Sequence, residues 1–210
     1  MTGALFIDLD GTLTDPKPGI TGSVRYALAM LGMASDMELD WIIGPPMQES
    51  LRQLTGSDRL AAAALGHYRE RFGTVGLFEN AVYPGIPEAL MALRISGRRM
   101  FLATSKPRVY AERILDHFNM AGYFDRLFGS ELDGTNVHKT DLLRHALAET
   151  GADPAGSLMI GDREHDAIGA RANGITPVGV LWGYGSREEL EVAGVTRLLE
   201  RPADLGNVLP

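Results

Sequence analysis

Short apolar runs that stop abruptly at polar residues recur along this chain, with helical stretches between them. Ala4-Leu5-Phe6-Ile7 stops at Asp8, Met100-Phe101-Leu102-Ala103 at Thr104, and Leu158-Met159-Ile160 at Gly161-Asp162. Leu127-Phe128 is a shorter run of the same kind, and Thr176 to Leu181 is another. Continuous runs this short read as strands buried on both faces. Helical patterns separate them, over Pro87–Ser96, Val109–Phe118, Thr140–Thr150 and Glu164–Asn173. Strands alternating with helices of ~10–15 residues predict a parallel sheet wound on both faces, an α/β fold of doubly wound type.

One stretch breaks the alternation. Between residues 15 and 80 only helices are expected: Ser23–Leu31, Glu38–Ile43, Met47–Leu54, and Ser57–Phe72 with Ser57 as N-cap. A block of that length is too long for a connection and reads as an insertion. The expected organisation is an α/β core from residues 1–14 and 81–210, carrying an all-helical cap over 15–80. In 210 residues that is one domain with a sizeable insertion.

Composition excludes several classes. With no cysteine there is no disulfide framework, thiolate metal site or cysteine nucleophile. A formal charge of −7 argues against nucleic acid as a partner. No apolar run reaches the ~18 residues of a membrane span. The first residues, Met1 to Asp8, lack a charged leader and run straight into a strand, so the expected location is the cytoplasm. His67, His117, His138, His145 and His165 form no pair with zinc-motif spacing.

In open parallel sheets, ligands bind outside the carboxyl ends of the strands. The polar residues there are Asp8 and Asp10, then Thr104, Ser105 and Lys106, then Lys139, then Asp162 and Asp166. Carboxylates gathered in a partly dry site cannot all stay ionised without a cation. An all-oxygen set without thiolates suits Mg²⁺, which typically serves a phosphate group. Lys139 then brings positive charge to a phosphoryl oxygen, with Lys106 as a competitor for that place. Thr104 offers a hydroxyl, and free N–H groups around Ser105 can cradle the remaining oxygens. Of the two acids at the first strand end, Asp8 can attack phosphorus, and Asp10 can protonate the leaving oxygen and then deprotonate water.

These residues resemble a known family. Asp8-Leu9-Asp10-Gly11-Thr12-Leu13 is similar to the first motif of the haloacid dehalogenase superfamily, and Thr104-Ser105-Lys106-Pro107 to its second. Lys139 is similar to the third-motif lysine, and Gly161-Asp162-Arg163-Glu164-His165-Asp166 to the Gly-Asp-x-x-x-Asp of the fourth. Ser105 stands where Asn is common. Asp10 sets the chain apart from the dehalogenases themselves, which lack an acid there. Ile43-Gly44-Pro45-Pro46 and the Gly129–Thr135 stretch are similar to phosphoglycolate phosphatase-like and 5′-nucleotidase-like members.

The resemblance implies a phosphatase with Asp8 as nucleophile and Asp10 as acid/base. It implies Mg²⁺ on Asp8, Asp162, the Asp10 carbonyl and, in support, Asp166. Phosphate falls to Thr104, Ser105 and Lys139. The implied substrate is a small phosphorylated metabolite, phosphoglycolate or a 5′-nucleotide, and the implied assembly a monomer or homodimer. Two alternatives stand beside it. One is a sugar phosphomutase of the β-phosphoglucomutase type. The other is a non-catalytic phosphate-binding or regulatory module, of which a phosphoryl-accepting receiver domain is an example. In the insertion, Glu49, Ser50 and Arg52 are candidates to face substrate. Gly183-Tyr184-Gly185-Ser186 reads as a loop near the site mouth with no assigned contact.

Overall fold

The computed structural model describes residues 3–33 and 36–208, so Met1 and Thr2, read above for a leader, lie outside the described residues. In chain order the elements are β1 (Leu5–Ile7), β2 (Thr14–Asp15), α1 (Lys17–Met30), α2 (Met47–Thr55), α3 (Asp58–Arg71), β3 (Ala81–Val82) and α4 (Ile86–Ile95). They continue as β4 (Met100–Pro107), α5 (Arg108–His117), β5 (Arg126–Ser130), α6 (Lys139–Thr150), β6 (Leu158–Gly161), α7 (Glu164–Ala172), β7 (Thr176–Val180), α8 (Arg187–Val192) and β8 (Leu198–Leu199). Residues 1–15 with 82–210 form one compact unit, and 16–81 form a second.

The first unit is built on a six-stranded sheet in the order β5-β4-β1-β6-β7-β8, with every pairing parallel. This is the α/β doubly wound fold expected from the alternation of runs. The chain winds from β1 to one side through β4 and β5, then returns to the other through β6, β7 and β8. The reversal falls at β1, where ligands gather in folds of this kind. Leu5, Phe6 and Ile7 of β1 are fully buried, as a central strand covered on both faces requires. On one face Phe6, Phe101 and Phe128 form a ring row at 5.4 and 5.9 Å, packed with Leu142, Leu143 and Met159. That core fixes the three strand ends that carry the site.

The structure departs from expectation in two places here. β4 runs on through Pro107 instead of stopping at Ala103, because its pairing with β5 shifts register between Thr104 and Pro107 rather than ending. The short strand β8 is formed by Leu198-Leu199, too brief to leave a periodic signal. Pro202–Asn207 is a 3₁₀ helix.

The second unit has a core of its own. α1 begins at Lys17, six residues before the expected start at Ser23. Pro18 suits the first turn of a helix, and Gly19 and Gly22 meet close neighbours at Gly76 and the Arg71 guanidinium. Ser57 caps α3 by accepting from the Leu60 N–H, and Tyr68 stacks on Phe72 at 5.1 Å. Arg71 donates to Glu79 at 2.8 and 3.0 Å and to Ser23 Oγ at 3.1 Å, closing the unit where α3 ends. No helix among the described residues is long and apolar enough to cross a membrane.

Candidate active site

β1 delivers Asp8 to the sheet end, and the Asp8 N–H still bonds the Ile160 carbonyl at 2.9 Å. The chain then turns tightly: the N–H groups of Leu13 and Thr14 bond the Leu9 carbonyl at 2.8 and 3.0 Å. Gly11 holds this turn at φ +79°, and a Cβ there would stand 2.1 Å from Asp162 Oδ2. Glycine therefore meets two demands at once, a left-handed backbone and direct approach to a carboxylate.

Asp8, Asp162 and Asp166 each place one carboxylate oxygen within 4.8 Å of the others, and all three residues are buried. Lys139, the first residue of α6, enters this group from the side. Its Nζ donates to the Ala103 carbonyl at 2.8 Å and lies 3.0 Å from Asp8 Oδ1 and 2.7 Å from Asp166 Oδ1. Both are ion pairs at close range, and neither Asp8 Oδ1 nor Asp166 Oδ1 has a further donor. Asp10 Oδ2 pairs with Lys106 Nζ at 2.6 Å, while Asp10 Oδ1 is buried with no donor. Asp162 is held differently, by the Tyr184 N–H at 2.8 Å on Oδ2 and by the Thr12 hydroxyl at 3.4 Å on Oδ1.

The electrostatics follow from this packing. Burial, and then the charges of Asp166 and Asp8, push the Asp162 carboxyl well above the usual carboxylate range. Burial likewise raises Asp166 against the opposing pull of Lys139, and raises Asp10 against the pull of Lys106. Burial alone would lower the Lys139 ammonium, but Asp166 and Asp8 outweigh it and hold the group charged. Four buried carboxylates thus face two buried ammonium groups, an excess of two negative charges when all are ionised. A hard divalent cation matches that excess, and carboxylate oxygens are the ligands it prefers. Asp8, Asp162 and Asp166 are the side chains placed to hold it.

The remaining sequence candidates fall as follows. Thr104 is buried, and its Oγ accepts from the Lys106 N–H at 3.3 Å, which leaves its proton available to a ligand. Ser105 contributes its carbonyl, which accepts from the Ser130 hydroxyl at 2.8 Å. Asp166 has a structural duty as well, since its Oδ2 accepts from the Arg163 N–H at 3.2 Å at the start of α7. Lys106, weighed in the sequence only as a competitor of Lys139, stands beside it as a second buried ammonium. Its position two residues after Thr104 on a strand puts both on one face, which was the available signal. Thr12 and the Trp182–Tyr184 loop, which reach Asp162 and its neighbours, carried no signal of charge or spacing. In the second unit Ser50 is buried with its Oγ unpartnered, and Arg52 pairs with Asp58 at 2.9 Å on the surface.

Comparison with known proteins agrees with this geometry. Residues 5–180 match the family model of the haloacid dehalogenase-like hydrolases. The chain is 47% identical over 208 residues to a 5′-nucleotidase of Pseudomonas aeruginosa, covering 98% of this chain and 94% of that protein. It is 40% identical to the tyrosine-protein kinase PtkA of Mycobacterium tuberculosis, over 91% of this chain and 66% of PtkA. The crystal structure of a predicted phosphatase from Clostridium acetobutylicum superposes with a TM-score of 0.94 at 38% identity, covering 99% of this chain and 97% of the other. The chain belongs to the haloacid dehalogenase-like hydrolases. Within them it is a phosphatase, a phosphoric monoester hydrolase.

Proposed function

We propose that the protein is a Mg²⁺-dependent phosphatase of small phosphorylated metabolites, acting through an aspartyl-phosphate on Asp8. The observation that carries this reading is the buried group of Asp8, Asp162 and Asp166 around Lys139, with Asp10 held beside it by Lys106. Bound Mg²⁺ supplies positive charge to a phosphoryl oxygen and offsets the carboxylate excess.

The chain's own residues do the rest. Lys139 and the free proton of Thr104 bind phosphoryl oxygens. The Asp8 carboxylate attacks phosphorus as the bond to the leaving oxygen breaks, and Asp10 gives that oxygen its proton. Asp10 then takes a proton from water, which attacks the same phosphorus and releases the Asp8 carboxylate and inorganic phosphate. Burial raises the Asp10 carboxyl, as suits a proton donor, and Lys106 pulls against that rise.

Phosphoglycolate and 5′-nucleotides are the leading substrates. The motif resemblance supports both, and the 5′-nucleotidase relative favours the second. The test is Mg²⁺-dependent phosphate release from a panel of p-nitrophenyl phosphate, phosphoglycolate, 5′-nucleotides and sugar phosphates. A preference of at least tenfold in kcat/KM for one class assigns the substrate. A chain that releases no phosphate from any of them, yet transfers phosphoryl groups between sugar hydroxyls or to protein tyrosine, overturns the hydrolase reading.

A further inference from the structure

The loop that follows β7, Leu181 to Ser186, folds back over Asp162. A Cβ on Gly183 would lie 2.4 Å from the Asp162 Cβ and 2.4 Å from the Gly11 carbonyl oxygen, so only glycine passes there. Three bonds anchor the loop. The Tyr184 N–H donates to Asp162 Oδ2 at 2.8 Å. The Trp182 indole N–H donates to the Thr12 carbonyl at 2.9 Å, and Thr12 in turn donates its hydroxyl to Asp162. The Tyr184 hydroxyl donates to Asp15 Oδ1. Tyr83, half-buried, adds a hydrogen bond to Tyr184, and its phenol stays protonated because burial and the charges of Asp15 and Asp162 push it up.

We propose that Tyr184 is a positioning residue for Asp162: its hydroxyl, fixed on Asp15, holds the loop in the one place where its backbone N–H orients the Asp162 carboxylate toward the cation. A carboxylate wedged between the backbones of Gly11 and Gly183 has little room to turn, and the Tyr184 N–H at Oδ2 together with the Thr12 hydroxyl at Oδ1 fixes its rotation. The hydroxyl lies at the far end of the same residue. Its partner Asp15 is the last residue of the first unit before the chain leaves for the second, and Tyr83 is the second residue after it returns. The side chain and backbone of one tyrosine thus join a carboxylate of the site to the two segments where the chain departs and re-enters.

This inference rests on the reading of Asp162 as a cation ligand, and its test separates the two. The measurements are the Kd for Mg²⁺ by calorimetry on the substrate-free protein, and the rise in Tm with added Mg²⁺. They compare wild type with Tyr184→Phe and with Trp182→Phe. Outer partners of metal ligands typically affect affinity by about 10–100-fold, so Tyr184→Phe should raise the Mg²⁺ Kd roughly tenfold. Its Tm without Mg²⁺ should stay close to wild type, and the Mg²⁺-induced rise should need correspondingly more metal. A merely structural role would lower Tm with and without metal alike and leave Kd unchanged. That result, or Kd values within twofold of wild type in both variants, overturns the proposal while leaving the phosphatase reading intact. A wild-type protein that neither binds Mg²⁺ nor releases phosphate overturns both.

Discussion

Replacing Lys106 by Met removes a buried ammonium while keeping the apolar stem, and leaves Asp10 buried without its cation. Asp10 Oδ1 already has no donor, and Oδ2 loses the 2.6 Å contact. Breaking a buried ion pair in this way costs about 3–5 kcal/mol. Proton uptake sets a second limit. Neutralising a carboxyl of ordinary pKa 3.8 at pH 7 takes roughly 4 kcal/mol at 1.36 kcal/mol per unit. The expected loss does not exceed the smaller of these limits and is about 2–4 kcal/mol. For a chain of this size that lowers Tm by about 4–16 °C. The catalytic effect is separable. A protonated Asp10 still serves the leaving oxygen but cannot accept a proton from water, so the first half-reaction survives and the second slows by about 10²–10⁴-fold. Urea melts and rapid-quench measurement of leaving group and of phosphate read the two parts, with Lys106→Arg as the charge-keeping control. The expected result is a destabilised protein showing one burst of leaving group per site followed by a slow steady state. A variant that melts with the wild type and turns over at its rate would refute the pairing of Lys106 with Asp10 and the dual role of Asp10.

Two further predictions follow from the structure. Chelation with EDTA should abolish phosphate release and lower Tm, and Mg²⁺ at about 100 times its Kd should restore roughly 2.7 kcal/mol, read as the Tm difference between chelated and loaded protein. Asp125 supports the start of β4, accepting from the Met100 N–H at 2.9 Å and from Arg94 at 2.7 Å. Burial opposes its ionised form, but these donors outweigh it and hold the carboxyl below its ordinary value. A depressed folded pKa stabilises above the unfolded value and is lost as pH falls through the folded one. Asp125→Asn should therefore cost about 0.5–1.5 kcal/mol at pH 7, with the exposed Arg94 pair adding little, and its urea midpoint should begin to approach wild type only as pH falls below the ordinary value of 3.8.

The parallel sheet was legible because each strand is an unbroken apolar run with a polar stop, and because glycine or a hydroxyl marks the adjoining helix ends. The carboxylates Asp8, Asp10, Asp162 and Asp166 and the lysine Lys139 were legible for a related reason. Parallel strands deliver whatever follows them to one edge, so residues far apart in sequence are candidates for one cluster. What the sequence hid is second-order in that logic. Lys106 reads in sequence only as a competitor of Lys139 for phosphate, and its pairing with Asp10 has no signal there. The start of α1 was missed because Pro18, Gly19 and Gly22 signal a loop locally, while Gly76 and Arg71, more than fifty residues or nearly so downstream, supply the packing that makes them helical. The hold of Tyr184 on Asp162 runs through a backbone N–H, and a backbone donor leaves no trace in residue identity.

The central claim is that Asp8 carries the phosphoryl group, and Asp8→Asn tests it most directly. Wild type and variant are mixed with Mg²⁺ and the best substrate of the panel, quenched in acid, digested and examined by mass spectrometry, alongside steady-state phosphate release. The expected wild-type result is turnover, with one phosphoryl group on the peptide that contains Asp8. The variant should keep its fold, because the exchange removes a charge from an already acid-rich site, and should give neither phosphorylated peptide nor turnover. Phosphate release by Asp8→Asn at the wild-type rate, or a phosphoryl group trapped on a different residue, would contradict the account.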